Sequence, residues 1–208
     1  MSQGQPPRWL SWARELQAIA QIGLHYAQDS FDRQRYTRIR ELAAEITSAH
    51  SDLPAAEILA NFELQPGYAT VKVDVRGAVL RDGKLLMVQE WSDELWCMPG
   101  GWADVGDSPS AMVEREVQEE TGFQVRAGKL LAVYDANQKD PLVFHHSYKL
   151  LFLCEILGGE ARTSEETLAV EFFPLDSLPR FSPMRTTERH IEHLQAHLRE
   201  PARPTDFD

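Results

Sequence analysis

The sequence predicts an α/β protein that begins with a small helical segment. Three observations indicate this class: apolar residues recur at helical spacing over residues 9–61, short apolar runs typical of strands follow residue 67, and an acidic helix lies between strands. With 208 residues, of which 43% are hydrophobic, the chain can bury a substantial core. We expect residues 1–65 to form the helical segment, 66–202 the main domain and 203–208 a frayed tail.

The N-terminal segment is predicted to contain three helices. The first occupies residues 9–27, the second extends to about residue 47 with Asp32 as its cap, and the third covers residues 54–61. Such a short segment cannot bury its apolar stripes alone. Symmetric pairing is the commonest solution, so we expect a homodimer. Packing of the stripes against the rest of the same chain is the alternative.

The main domain is predicted to alternate strands with helices. Its Asp82-Gly83 pair, placed between two apolar runs, indicates a tight hairpin. A closing helix over residues 184–198 carries Ile191, Leu194 and Leu198 on one face. The expected strands are 69–75, 77–80, 85–89, 129–135, 146–156 and 171–174.

Charge and composition exclude several classes of function. The formal net charge of -11 argues against nucleic acid as the main partner, because binding to phosphates depends on clustered Lys and Arg. No apolar run is long enough to cross a bilayer, and residues 1–8 lack the apolar stretch of a signal peptide. We expect a cytoplasmic protein without a membrane partner, in which Cys97 and Cys154 are reduced core thiols.

The most informative segment is an acidic helix of about thirteen residues, with Ser108 as its N-cap and Gly122 just past its end. Glu116, Glu119 and Glu120 stand at i, i+3 and i+4 and so share one face. Their mutual repulsion would be relieved by a hard divalent cation such as Mg²⁺ or Mn²⁺. A solvated acidic face is the alternative on these residues alone.

The segment "GWADVGDSPSAMVEREVQEETGF", residues 101–123, resembles the signature of the Nudix hydrolases. That signature reads Gly, five residues, Glu, seven residues, Arg-Glu, an aliphatic, any residue, Glu-Glu, any residue, Gly and an aliphatic or similar residue. Asp107 replaces the first Glu, from which we expect retuned metal geometry in an active enzyme. The positions in register are Gly101, Arg115, Glu116, Val117, Glu119, Glu120, Gly122 and Phe123.

The resemblance implies an α/β/α sandwich with a mixed sheet and a metal-dependent hydrolase domain. It implies that Glu116, Glu119 and Glu120 hold the metal, with Gly101 beside it, and that Arg115 orients the glutamates. One of these glutamates, or a later Glu, would help to activate water. Glu166, or its neighbour Glu165, lies in a loop before the last predicted strand and is the candidate for that later base.

The N-terminal helices resemble those of a bacterial Nudix group that acts on nucleoside diphosphates linked to another moiety, including ADP-ribose and CDP-choline pyrophosphatases. The implied reaction is hydrolysis of the pyrophosphate bond to a nucleoside monophosphate and a phosphorylated X. A proline common in ADP-ribose enzymes is out of register here, where Gln138 stands and Pro141 is nearest. This weakens the case for ADP-ribose.

Candidates for binding the substrate lie outside the signature. Arg76 could pair with a phosphate, and Trp96 or Trp102 could stack on a nucleobase. His145 could contact the phosphate or the base, although a satisfied polar residue is the more common role of such a histidine.

Two other functions fit the same pattern. A non-catalytic nucleotide sensor would keep the fold, but it would have little need for every carboxylate. An RNA-end-processing hydrolase or exonuclease would use the same metals on RNA, against which the acidity of the chain counts.

Overall fold

The computed structural model describes residues 7–136 and 146–208. Contacts between residues divide the chain into two units. The first comprises residues up to Val71 together with Ala136 and His146, and the second comprises Lys72–Asp135 and Ser147–Asp208. In the described residues, no helix has the length and hydropathy that a membrane-spanning segment needs.

The first unit is built from helices α1 (Arg8–Tyr26), α2 (Ser30–Ser48) and α3 (Ala55–Glu63). All three were predicted. The cap of α2 differs from the prediction, because Asp29 rather than Asp32 precedes the helix, and its Oδ1 accepts a hydrogen bond of 2.8 Å from the Asp32 backbone N–H. The sequence offers two aspartates three residues apart, and the first of them has the extended backbone that an N-cap requires.

The second unit contains a mixed sheet, as the sequence predicted. Its strands and helices are β1 (Lys72–Arg81), β2 (Lys84–Glu90), β3 (Trp96–Cys97), α4 (Pro109–Thr121), β4 (Phe123–Asp135), β5 (Ser147–Gly159), β6 (Thr167–Pro174), α5 (Glu188–Arg199) and β7 (Asp206–Phe207). The sheet order is β3-β2-β1-β5-β4-β7, with β6 paired to β2. β1 runs parallel to β5 and antiparallel to β2, so the sheet is mixed at its centre.

Two hydrophobic cores lie on the two faces of this sheet. Because successive strand residues point to opposite faces, Val75 and Val79 of β1 pack with Val113 and Val117 of α4, whereas Ala78 joins the core around α5. The second core includes Leu85, Met87, Leu131, Ile191 and Leu194. Helices therefore cover both faces, which gives the α/β/α sandwich expected from the sequence.

The C-terminus corrects one prediction. Residues 203–208 were expected to fray, but Asp206–Phe207 form β7, which pairs in parallel with Ala132 and Val133 of β4. The Arg203 guanidinium donates to both Asp206 oxygens. A polar, proline-containing end gives no strand pattern, and this pairing depends on contacts that are distant in sequence.

Candidate active site

The acidic helix α4 forms with the predicted bounds. The Ser108 hydroxyl accepts a hydrogen bond from the Ala111 backbone N–H, Pro109 opens the helix, and Gly122 ends it at a φ of 78°, where a side chain would be strained. These signals fix the ends of the helix, and the packing of Val113 and Val117 in the core fixes its rotation. Glu116 and Glu120 consequently face the turn that joins β3 to α4.

Glu120 is buried against this turn. Its Oε2 accepts a hydrogen bond of 2.9 Å from the Gly100 backbone N–H. Gly100 has a φ of 141°, and a Cβ there would lie 2.0 Å from the Val75 carbonyl oxygen, so only glycine lets the turn approach β1 this closely. Burial raises the pKa of the Glu120 carboxyl to about 8. The ionised form is therefore unfavourable unless a cation lies beside it.

Glu116 lies one helical turn away and approaches the next residue of the turn. A Cβ on Gly101 would be 2.8 Å from Glu116 Oε2, so the carboxylate lies directly against the Gly101 backbone. Burial raises the pKa of Glu116, and the negative charges of Glu119 and Glu166 add to this, although Arg115 opposes it. Two carboxylates with raised pKa values thus meet at Gly100-Gly101.

Arg115 gathers the remaining acidic groups. Its guanidinium lies 3.0 Å from Glu119 Oε2 and 3.3 Å from Glu116 Oε1. On its other edge it contacts Asp104 at 2.6 Å and Asp107 at 3.3 Å. Arg115 therefore orients the glutamates through ion pairs, and Asp107, shorter than the Glu of the signature, still reaches it.

The carboxylates of α4 can be compared with the ligands that a divalent cation needs. In residues 7–136 and 146–208, no three His, Cys, Asp or Glu side chains converge at metal-binding distances. Glu119 is exposed and held by Arg115, whereas Glu116 and Glu120 converge. Mg²⁺ commonly uses one or two carboxylates and completes its shell with water and substrate phosphates. The Glu116–Glu120 pair fits such an ion.

Of the candidate bases, the structure links Glu166 to this pair. Glu166 is exposed in the loop before β6, and its charge contributes to the raised pKa of Glu116. Its backbone is held by the Ser164 hydroxyl and by the Trp91 N–H. The Thr167 hydroxyl donates to the Glu120 carbonyl at 3.3 Å, which ties the loop to α4.

The predicted substrate residues differ in their surroundings. Arg76 is only 3% exposed, and its guanidinium donates to both Asp74 oxygens and to the Met98 carbonyl. Its side chain therefore stabilises the segment that leads into the Gly100-Gly101 turn. Trp96 packs edge-on against Phe173, whereas Trp102 is 45% exposed. His145 lies outside the described residues.

Glu90 and Arg185 are two charged residues that the sequence analysis did not identify. Glu90 is buried at the end of β2, next to an irregularity in the β2–β6 register, and its Oε1 accepts from Cys97 Sγ–H at 3.1 Å. Arg185 Nε lies 3.1 Å from the same oxygen. An acidic residue ending the apolar run "LLMVQE" was the available signal, because alternation places Glu90 on the same face of β2 as the buried Leu86 and Val88.

Comparison with known proteins identifies both units. A family model described as "NUDIX domain" matches residues 71–195. A second, described as "UDP-X-like, N-terminal oligomerisation domain", matches residues 7–62.

Similar proteins align along the chain. A Bacillus subtilis protein provisionally named as an ADP-ribose pyrophosphatase is 39% identical over 202 residues, which is 97% of each chain. An ADP-ribose pyrophosphatase of Methanocaldococcus jannaschii is 30% identical over 118 residues, covering 55% of this chain and 69% of that protein.

Two solved structures are similar to the fold. A crystal structure of a UDP-X diphosphatase has a TM-score of 0.63 at 32% identity and covers 99% of this chain and 100% of its own. An ADP-ribose pyrophosphatase from Streptococcus suis has a TM-score of 0.61 at 37% identity, covering 67% of this chain and 100% of its own.

Proposed function

This chain belongs to the Nudix family and is a pyrophosphohydrolase, and from that premise we propose that it cleaves a nucleoside diphosphate linked to a second group, X. The products are a nucleoside monophosphate and phosphorylated X. The observation that carries the proposal is the pair of carboxylates, buried Glu120 and half-buried Glu116, facing the Gly100-Gly101 turn.

The substrate class is supported by the whole-length similarity. The B. subtilis relative and the UDP-X diphosphatase structure both align with nearly all of this chain, including the N-terminal segment. ADP-ribose and a UDP-linked compound share a nucleoside diphosphate joined to another group, and CDP-choline has the same linkage. We therefore place the substrate in this class and keep ADP-ribose and CDP-choline as its first two candidates.

Mg²⁺ or Mn²⁺ would be held by Glu116 and Glu120, with Glu119 and the Gly101 carbonyl as further candidate ligands. When bound there, the ion supplies neutralisation of phosphate charge and a lower pKa for a coordinated water. Glu119 could join the pair if its carboxylate turned away from Arg115, which it now contacts at 3.0 Å.

The protein's own residues then account for positioning and proton transfer. The Gly100 N–H fixes the Glu120 carboxylate, and Arg115 fixes Glu116. We infer that Glu166 accepts the proton of the attacking water as the water oxygen forms a bond to phosphorus. The bridging P–O bond breaks, and the departing phosphate carries away the bonding electrons.

The helical unit is proposed to mediate a homodimer. The description of the family model that matches residues 7–62 includes oligomerisation, which supports this assignment. The cytoplasmic location expected from the sequence stays a prediction.

Chromatographic analysis of products tests the proposed reaction. The purified chain is incubated with Mg²⁺ or Mn²⁺ and ADP-ribose, UDP-glucose, CDP-choline, NADH, diadenosine polyphosphates or a short RNA. A mononucleotide and a phosphorylated X from one of the first three compounds is the expected result. Cleavage of the RNA alone would favour the nucleic-acid hydrolase instead, and no cleavage would favour the sensor.

A further inference from the structure

The candidate site contains more negative than positive charge at the place where an anionic substrate must bind. Glu116, Glu120 and Glu90 are all carboxylates. Beyond the effect of burial, the charges of Glu90 and Glu116 raise the pKa of Glu120, and the Arg76 guanidinium opposes them. A divalent ion offsets part of this charge. A diphosphate would also gain from a guanidinium, which binds phosphate oxygens through paired hydrogen bonds.

The other guanidiniums near the site are already committed. Arg76 is buried, and each of its three nitrogens has a partner in Asp74 or Met98. Arg115 is engaged by acidic groups on both edges. Neither has an open edge to offer a phosphate.

Arg185 is accessible, unlike Arg76, and it has fewer acidic partners than Arg115. Its side chain is 29% exposed, and its Nε lies 3.1 Å from the buried Glu90 carboxylate. Its two terminal nitrogens donate to neutral hydroxyls, Ser182 at 3.2 Å and Ser92 at 3.1 Å, while Asp93 lies 3.6 Å away. A guanidinium carries five N–H groups, so two hydrogen bonds and the ion pair with Glu90 leave two donors for another acceptor.

The segment that carries Arg185 is firmly anchored. Lys149 Nζ, buried in an ion pair of 3.0 Å with Asp74, donates to the Met184 and Arg185 carbonyls at 3.1 and 3.3 Å. The Thr186 hydroxyl accepts from the Met98 N–H at 2.9 Å. Burial lowers the pKa of Lys149 to about 8, so keeping this side chain charged inside the fold costs free energy. Its ion pair and its two hydrogen bonds to the segment offset that cost.

The same anchors connect Arg185 to the candidate metal site. Met98 precedes the Pro99-Gly100-Gly101 turn, and the Gly100 N–H holds Glu120. The Glu90 carboxylate lies between Arg185 and Cys97. Arg185 is thus a cation held in place next to Glu90, close to the candidate metal site. Because its side chain is already ordered, binding an anion there costs less conformational entropy.

We propose that Arg185 is a substrate-binding residue that contacts the diphosphate of the nucleoside diphosphate derivative. This inference rests on the proposed function, because it assumes that a diphosphate occupies the site. Glu90 is the positioning residue that holds the guanidinium in place.

Steady-state kinetics with ADP-ribose test the assignment. Arg185→Gln is expected to raise KM about tenfold or more, as for the loss of a charge-assisted hydrogen bond, with little change in kcat. The KM of Arg185→Lys should fall between those of the native protein and Arg185→Gln, because lysine keeps the positive charge but lacks the paired N–H donors of the guanidinium. Arg180→Gln, an exposed arginine on the preceding segment, is the matched control and should behave as native.

A double variant separates substrate binding from a purely structural role. If Arg185 only neutralises Glu90, then Glu90→Gln with Arg185→Gln should restore the native KM, which would overturn the inference. If Arg185 binds the diphosphate, KM stays high in the double variant. Thermal unfolding of each variant distinguishes these outcomes from loss of the fold.

A binding measurement separates failure of this inference from failure of the proposed reaction. Calorimetric titration with ADP-ribose in the Glu120→Gln background, where turnover is not expected, should show Kd weakened about tenfold by Arg185→Gln. An unchanged Kd would overturn the inference even if the native enzyme hydrolyses ADP-ribose. Absence of binding by either protein would count against both proposals.

Discussion

At the scale of single residues, the site depends on carboxylates placed where negative charge is unfavourable. Glu120 is buried against the Gly100 N–H, and its pKa is raised to about 8. Glu116 is raised in the same direction, chiefly by burial. Neither arrangement stabilises the metal-free fold at neutral pH, so the pair is better explained by binding than by stability.

Substitution of Gly101 tests how closely this geometry is set. In Gly101→Ala the new Cβ would meet Glu116 Oε2 at 2.8 Å, so the carboxylate must move. We expect kcat to fall by about tenfold to a hundredfold, because small displacements of reacting groups are costly. The melting temperature should change little, since the displaced group is the end of a side chain.

Gly128→Ala is the control, because its Cβ would meet only the Leu153 carbonyl oxygen, at 3.7 Å. Steady-state kinetics and thermal unfolding are measured on both variants. Native kcat in Gly101→Ala would show that Glu116 does not need its present position.

The residues of the candidate site were predictable from sequence only where local spacing along the chain determines their position. The signature located Glu116, Glu120 and Arg115, because a helix fixes which residues share a face. Arg76 was predicted to face a phosphate, yet the structure buries it against Asp74, a partner two residues away on the same face of β1. Glu90 shares a face of β2 with the buried Leu86 and Val88, but its partners Cys97 and Arg185 lie on other segments, which single-strand patterns do not encode.

At the scale of elements, β7 secures an end that has no strand pattern. Asp206 accepts from Arg203 at 2.7 Å and pairs with His193 at 2.9 Å, and β7 itself lies along β4. The Arg203 hydrogen bonds lower the pKa of Asp206 to about 2 from an ordinary value of 3.8. A carboxyl with a depressed folded pKa stabilises the fold above pH 3.8, and this stabilisation is lost as the pH falls towards 2.

Asp206→Asn should therefore lower the melting temperature near neutral pH by about 2–4 °C, which corresponds to about 1 kcal/mol in a chain of this size. The difference from the native protein should shrink as the pH falls from 3.8 towards 2. Glu200→Gln is the control, because Glu200 lies 3.9 Å from the same arginine. Equal melting temperatures near neutral pH would mean that the tail adds nothing to stability.

The helices were predicted better than the strands, and for a physical reason. Caps and periodicity gave α4 to the residue, because they act within a few positions. The sequence divided β1 at Arg76, since a charged residue interrupts the apolar run. The strand continues because both oxygens of Asp74 accept hydrogen bonds from Arg76 and compensate its charge within the sheet. Lys149, the neighbour of Asp74 on β5, pairs with the same carboxylate.

At the scale of the whole molecule, the helical unit exposes an apolar face. Trp12, Ile19 and Tyr26 of α1 are 51%, 46% and 64% exposed and stand seven residues apart, so they share one side of the helix. Exposed apolar residues in such a row, two of them aromatic, are typical of a binding surface. This face is the proposed homodimer contact.

Ile19→Glu should convert the dimer to a monomer, because it places a charge at the centre of that row. Light scattering coupled to size-exclusion chromatography measures the mass directly. Gln124→Glu, an equivalent change at an exposed position of the second unit, should leave the dimer intact. A native monomer, or a dimer that persists in Ile19→Glu, would contradict the assignment.

The central claim is that the carboxylates of α4 serve metal-dependent hydrolysis of a pyrophosphate bond. Turnover of the nucleoside diphosphate panel by the native chain and by Glu120→Gln, each with Mg²⁺ or Mn²⁺, tests it most directly. We predict that the native chain releases a mononucleotide and that the folded variant loses at least about a hundredfold in rate. Equal turnover by both proteins, or none by the native chain, would contradict the claim.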